Sequence, residues 1–260
     1  MMNESHRFKK KYGQNFLRDN SVIDKIISFS TLTKDDLVIE IGPGDGALTK
    51  KLLKYSKVLA YEVDRELKEK LENIDSDLNV VWDDFLIRDV KRDLKSYKYN
   101  NLFLIANLPY YITTPIVLKI INEEIEFKEI IIMVQKEVAD RFSSSPGCRD
   151  YSSITVLLNY YFEIEKLFSV SRNSFFPVPN VDSAVIKLIR KKEKIYVKNE
   201  ELFFKFVRDC FRFKRKTLKN NVRNYDLNTI EKVLKTYNFD LTVRAEQLSL
   251  DIFAEIVNNL

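Results

Sequence analysis

The residues with the most chemical meaning stand where apolar runs end. Leu102-Phe103-Leu104-Ile105-Ala106 is followed at once by Asn107-Leu108-Pro109-Tyr110, which sets an amide, a rigid proline and an aromatic ring at the carboxyl end of a buried strand. In an open parallel sheet the crevice beyond those ends is where ligands bind. An ordinary strand-to-helix turn would use the same Asn and Pro for backbone reasons. A second signal is the loop Gly42-Pro43-Gly44-Asp45-Gly46-Ala47. Gly42, Gly44 and Ala47 satisfy the dinucleotide fingerprint, and Gly42, Gly44 and Gly46 satisfy the looser glycine loop of methyltransferases. Either way, the polar part of a cofactor comes close to the backbone where a helix begins. Glu62 ends the next apolar run, 18 residues beyond Gly44, and is placed to accept hydrogen bonds from ribose hydroxyls. Both cofactor classes contain ribose. Glu40 and Asp84 separate them: a carboxylate just before the loop repels a pyrophosphate but favours the cationic amino-acid end of S-adenosylmethionine, and Asp84 can accept from an adenine amine. Each carboxylate alone also fits a solvated turn. Four successive strand ends with suitable groups argue for one site.

Positioning such groups takes strands whose ends line up. The apolar runs Leu37–Ile41, Val58–Glu62, Leu78–Trp82, Leu102–Ala106 and Ile130–Val134 are predicted strands, separated by helical patterns over Ala47–Leu53, Arg65–Leu71 and Pro115–Ile121. Pro115 suits a first-turn position, with Thr113 or Thr114 as cap. A further helix is expected over Ser21–Phe29, capped by Asn20 or Ser21. The alternation predicts a doubly wound parallel sheet. Ser143–Asp150 reads as a loop and Ser152–Tyr160 as a helix; Phe162–Val170 and Ala184–Arg190 read as two more strands, flanking the proline-rich Ser174–Asn180. Lys191–Val197 reads as a linker into a helical tail.

The 260 residues can bury a sizeable core. With one histidine, His6, and two scattered cysteines, Cys148 and Cys210, the chain lacks the residues for a Ser-His-Asp or Cys-His nucleophile, a histidine zinc site or a disulfide framework. Chemistry must come from carboxylates, amides, aromatics or a bound cofactor. No apolar run approaches the roughly 18 residues a membrane span needs, and Met1–Lys11 is polar and basic, so the expected location is the cytoplasm. Of the net charge of +5, residues 191–260 carry the whole excess, with 15 Lys and Arg against 10 Asp and Glu. Arg208, Arg212, Arg215, Lys219 and Arg223 fall on one helical stripe opposite Phe203, Val207, Phe211, Leu218 and Val222. A solvated face would account for this stripe, but Asp209 as the lone acid among residues 205–223 favours contact with phosphates.

Gln14-Asn15-Phe16-Leu17, the glycine loop, Asn107-Leu108-Pro109-Tyr110, Gln135-Lys136-Glu137-Val138-Ala139-Asp140-Arg141 and Phe175-Phe176-Pro177-Val178-Pro179-Asn180-Val181-Asp182-Ser183 together resemble the ribosomal RNA adenine dimethyltransferase family. The resemblance continues through Lys214-Arg215-Lys216-Thr217-Leu218-Lys219-Asn220-Asn221 and Arg244-Ala245-Glu246-Gln247-Leu248-Ser249; these two stretches and the Gln135 to Arg141 segment resemble the bacterial branch acting on two adjacent adenosines in the 3′-terminal hairpin of small-subunit 16S rRNA. It implies a Rossmann-like, S-adenosylmethionine-dependent methyltransferase domain over residues 1–190 and a small all-helical RNA-binding domain over 191–260. It also implies that Asn15, Leu17, Gly42, Glu62, Asp84 and Asn107 contact S-adenosyl-L-methionine and that Gly44 admits it closely. Trp82-Asp83 stands where the family often has a glycine nearby, leaving Asp83 or Asp84 for the adenine; Phe85-Leu86 favours Asp84. Asn107 and the Leu108 carbonyl are expected to orient the target amine, and Tyr110 with Phe175 to stack the target base. The expected partner is 16S rRNA within the small ribosomal subunit, with no metal, no membrane and a monomeric chain. The rival readings are a methyltransferase of large-subunit rRNA or DNA, and a ribosome-assembly factor with secondary methylation.

Overall fold

In the computed structural model, residues 15–75 and 78–260 are described. The basic run Arg7 to Lys11, together with His6 and Gln14, lies outside them. The apolar runs become β1 (Phe16–Leu17), β2 (Leu37–Ile41), β3 (Lys57–Tyr61), β4 (Asn79–Val81), β5 (Leu102–Asn107), β6 (Glu129–Gln135), β7 (Phe162–Val170), β8 (Phe175–Phe176) and β9 (Ser183–Arg190). Between them run α1 (Asn20–Ser28), α2 (Thr49–Leu52), α3 (Lys68–Glu72), α4 (Val90–Leu94), α5 (Thr113–Asn122), α6 (Lys136–Phe142) and α7 (Ser153–Tyr161). The tail adds α8 (Glu200–Cys210), α9 (Leu218–Asn221), α10 (Leu227–Thr236) and α11 (Leu250–Asn259).

Seven strands form one sheet in the order β4-β3-β2-β5-β6-β9-β7, and β1 pairs separately with β8. From β4 to β6 the pairing is parallel, as expected, but β9 runs antiparallel to β6. The sheet is therefore mixed. Its central strands β2, β5 and β6 are near-continuous apolar runs, with all five residues of β2 buried, which is what a sheet covered on both faces requires. Chain order steps outward from β2 to β3 to β4, then returns to place β5 on the other side of β2. Because parallel crossovers are right-handed, this reversal sends successive helices to opposite faces and leaves a crevice at the β2–β5 boundary. The register confirms the opening. The β2–β3 ladder runs to Ile41 opposite Tyr61 and the β5–β6 ladder to Asn107 opposite Met133, whereas β2–β5 pairing stops at Ile39 opposite Leu104. The two central strands part before their ends, and the glycine loop leaves one while Asn107 ends the other. This is the Rossmann-like arrangement.

Two helix starts differ from the sequence reading. Asp19, not Asn20 or Ser21, caps α1 by accepting from the Ser21 amide at 3.0 Å. Pro115 does stand in the first turn of α5, as its third residue, but Thr113 and Thr114 lie inside the helix and the preceding Ile112 makes no side-chain capping bond.

The chain divides into two compact units, one reaching to Ala139 and including Glu165–Arg190, the other made of Asp140–Ile164 and Lys191–Leu260. Residues 140–164, read from sequence with the first domain, thus belong with the helical tail. The first unit's core includes Val38, Leu52, Phe103, Ile131, Val185 and Phe175; the second is packed around Tyr160, Phe203, Phe206, Ile230 and Phe253. In the second unit Asn199 caps α8 at the Leu202 amide. The helix ends at Cys210, so the predicted stripe from Arg208 to Arg223 is not one helix face. Continuing it would stack like charges three and four residues apart, each pair costing about 0.2–0.5 kcal/mol. The Asn221 side chain instead offers Phe213 hydrogen bonds outside a helix. Arg208, Arg212, Arg215, Lys219 and Arg223 are nonetheless all exposed.

Candidate active site

A cleft enclosing about 1060 Å³, part of it open to solvent, lies beyond the carboxyl ends of β2, β3, β4 and β5. Its floor is the glycine loop. The Gly42 amide donates to the Tyr61 carbonyl at 2.9 Å, extending the β2–β3 ladder by one bond. Gly42 and Gly44 then take φ of +69° and +60°, left-handed conformations that side chains rarely adopt. At Gly44 a Cβ would stand 2.7 Å from the Phe16 ring. Phe16 therefore lies directly on this glycine, and β1 roofs the loop. Two further bonds hold the roof: Arg18 pairs with Asp45 at 2.6 Å, and the Asn15 carbonyl accepts from Asn107 Nδ2 at 3.3 Å.

The two glutamates differ in how they are held. Glu62 accepts from the Gly44 amide at 3.2 Å with one oxygen and from the Asp64 amide at 2.8 Å with the other. Burial nevertheless pushes its carboxyl above the usual range, the two amides pulling the other way. Glu40 is 1 % exposed and accepts from Thr49 Oγ1 at 2.7 Å. Burial in the sheet, with the Glu62 charge adding to it, raises its carboxyl from 4.5 to about 8. At neutral pH Glu40 is thus mostly protonated, and a cation entering the cleft would draw that proton off.

Asp83 and Asp84 both line the cleft. Asp83 accepts from the Asp84 amide at 2.9 Å and has the Arg88 guanidinium 3.6 Å away. Asp84 Oδ1 accepts from the Leu86 amide at 2.9 Å, which leaves Oδ2 for a ligand. Behind them Arg88 grips Asp93 with two bonds of 2.9 and 3.0 Å, and Asp93 accepts from the Tyr61 hydroxyl. The Tyr61 ring meets Phe85 edge-on at 5.2 Å.

On the other wall, Asn107 spends Nδ2 on Asn15, so its Oδ1 has no donor among the described residues; which end of the amide is oxygen follows from that bond. The Leu108 amide donates to Met133 O at 3.2 Å, carrying the β5–β6 ladder one residue past the strand. Pro109 packs over Gly42. The Tyr110 hydroxyl is 2.7 Å from Ser183 Oγ, which fixes the ring at the start of β9, and its burial raises the phenol.

Asn15, Leu17, Gly42, Gly44, Glu62, Asp84, Asn107, Leu108 and Tyr110 therefore all border one cleft. Phe175 does not. Its pairing opposite Leu17 turns it into the core, 2 % exposed, while the next residue, Phe176, opposite Phe16, is 55 % exposed. Phe16, Tyr61, Tyr111 and Thr49 were missed from sequence, and only Thr49 carried a signal, a hydroxyl one helical turn past the glycine loop.

The sequence matches the family described as ribosomal RNA adenine dimethylase over residues 5–260. It is 44% identical, over 97% of its length and 90% of the relative, to ribosomal RNA small subunit methyltransferase A of Clostridioides difficile (strain 630). It is 40% identical to the protein of that name from Geobacillus sp. (strain WCH70), covering 97% of this chain and 91% of the other. Among solved structures, a dimethyladenosine transferase from Plasmodium falciparum superposes with a TM-score of 0.76 at 29% identity, covering 92% of this chain and 95% of that one. The 23S rRNA methyltransferase ErmE superposes with a TM-score of 0.73 at 27% identity, covering 95% and 99%.

Proposed function

The chain belongs to the ribosomal RNA adenine dimethylase family, and on that premise we propose that it transfers methyl groups from S-adenosyl-L-methionine to the N6 amines of two adjacent adenosines in the 3′-terminal hairpin of 16S rRNA. The single observation that carries the reading is Asn107: its amide is held by Asn15 so that Oδ1 is left for a ligand, in a cleft it shares with the glycine loop.

The residues present fit the cofactor. Asp84 Oδ2 suits the adenine amine, Glu62 keeps lone pairs for ribose hydroxyls beyond its two amide bonds, Gly42 and Gly44 admit the chain closely, and Glu40 complements a cationic amino-acid end. When bound, S-adenosylmethionine supplies an electrophilic methyl group on a sulfonium. The adenine amine is a poor nucleophile because its lone pair is delocalised into the ring. Asn107 Oδ1 accepting one of its hydrogens, and the Leu108 carbonyl the other, fixes the nitrogen and makes that pair more available for in-line attack. This is catalysis by orientation and electrostatics. Extracting the base from its stack costs a few kcal/mol; stacking on Tyr110, at roughly 1–3 kcal/mol per base, offsets it. A second transfer to the same nitrogen requires the pocket to accept a monomethylated amine.

The small-subunit reading is favoured over a large-subunit one by the 39–44% identity to small-subunit relatives, against 27% to the 23S enzyme. The proposal includes action in the cytoplasm as a monomer. The test is a labelled methyl-transfer assay offering small ribosomal subunits, large subunits and duplex DNA side by side. Transfer to small subunits alone, ending as dimethyladenosine, is expected; label in large subunits or DNA instead would overturn the reading.

A further inference from the structure

Between α8 and α9 the second unit carries the loop Phe211-Arg212-Phe213-Lys214-Arg215-Lys216-Thr217. Two of its aromatics have opposite fates. Phe211 packs against the helical core, whereas Phe213 is 54 % exposed and stands among the exposed cations Arg212, Lys214, Arg215 and Lys216. A single exposed apolar residue is common on any surface. Here, however, the backbone of that same residue is pinned from both sides. Asn221 Oδ1 accepts from the Phe213 amide at 2.9 Å, and Asn221 Nδ2 donates to the Phe213 carbonyl at 3.4 Å. The Phe213 carbonyl also accepts from Lys216 at 2.9 Å. The far end of the loop is anchored by the Leu218 amide on Val243 O at 2.7 Å. A loop with no core contact at its tip is thus held rigid at the residue whose ring faces solvent, and the Arg212 guanidinium lies 5.5 Å from that ring's centroid.

We propose that Phe213 is a base-stacking residue, taking an unpaired nucleobase of the RNA against its ring while the flanking cations neutralise the adjoining phosphates. The inference rests on the RNA-acting function proposed above and names a contact outside the methyl-transfer cleft. An aromatic platform inside a basic loop suits single-stranded RNA because every base has a π face and every nucleotide a phosphate. A fully paired duplex keeps its bases stacked and gives the ring nothing to receive. A lipid surface would meet the same cations but takes up an aliphatic side chain much as it does an aromatic ring.

The test compares wild type with Phe213→Ala, Phe213→Leu and Phe213→Trp, measuring dissociation constants for small ribosomal subunits, a single-stranded oligoribonucleotide, duplex RNA and anionic phospholipid vesicles over a salt series. Ala and Leu should weaken binding to subunits and single strands by roughly 5- to 150-fold, Trp should restore it, and duplex binding should hold. The salt slope should stay at the wild-type value in all three, since no cation is lost, whereas Arg215→Ala should lower it by about one. Wild-type affinity in the Leu variant overturns the proposal, as does a loss confined to vesicles. Wild-type protein that ignores small subunits while the single-strand losses persist refutes the substrate assignment and leaves the stacking role standing.

Discussion

Replacing Glu40 by Gln tests the electrostatic account of the cleft. The native carboxyl is raised from 4.5 to about 8 by burial and by the neighbouring Glu62. Between those values the folded chain binds a proton that the unfolded chain has already released. Stability therefore falls as pH rises from about 4.5, and levels off above about 8. At about 1.4 kcal/mol per pH unit over that interval the total loss is about 3–5 kcal/mol, a large share of the 5–15 kcal/mol that holds a typical domain together. Glutamine keeps the shape and an acceptor for Thr49 but does not ionise. E40Q should match the wild type near pH 4.5 and become progressively more stable than it up to pH 8. Urea unfolding followed by circular dichroism at pH 5, 6, 7 and 8 reads this directly, as a gap between midpoints that widens with pH. A gap of the same size at pH 5 and pH 8 refutes the reasoning, because it would mean that Glu40 ionises as easily folded as unfolded. The same residue ties cofactor binding to protons: at pH 7 binding of S-adenosylmethionine should release up to about 0.9 proton from the wild type, read by titration calorimetry in two buffers of different ionisation heat, and less from E40Q.

Asn107→Ala should lower methyl transfer at least about 100-fold while sparing RNA binding; near-normal dimethylation of small subunits by this variant would remove Asn107 from the mechanism. Gly44→Ala would place a methyl group 2.7 Å from the Phe16 ring at a φ of +60°, so S-adenosylmethionine should bind at least about tenfold more weakly by calorimetry, and an unchanged affinity would show that the close approach is made elsewhere.

The parts of this site legible in the sequence are those that depend on strand ends. Asn107, Glu62 and Gly42 each follow an apolar run, and in a parallel sheet every such end points to the same edge, so one-dimensional order already collects them. What depends on pairing was not legible. Phe175 and Phe176 are the same residue type side by side, and only their register against Leu17 and Phe16 decides which faces the core. The antiparallel direction of β9 leaves no trace in an apolar run that would serve either way. The basic stripe from Arg208 to Arg223 obeys helical spacing, but spacing does not reveal that Asn221, eight residues beyond Phe213, diverts the backbone. Phe16 covers a glycine 28 positions later, which no local pattern announces.

The β1 segment is fastened on both faces. On one side Leu17 and Phe175 are sunk in the core, an anchorage of several kcal/mol. On the other side the Phe16 ring lies on Gly44 and is 7 % exposed, Arg18 pairs with Asp45, and the Asn15 carbonyl accepts from Asn107 at 3.3 Å. The bond to Asn15 uses Asn107 Nδ2 and leaves Oδ1 for the target amine, so seating the β1 segment and orienting the amine fall to the two ends of one side chain.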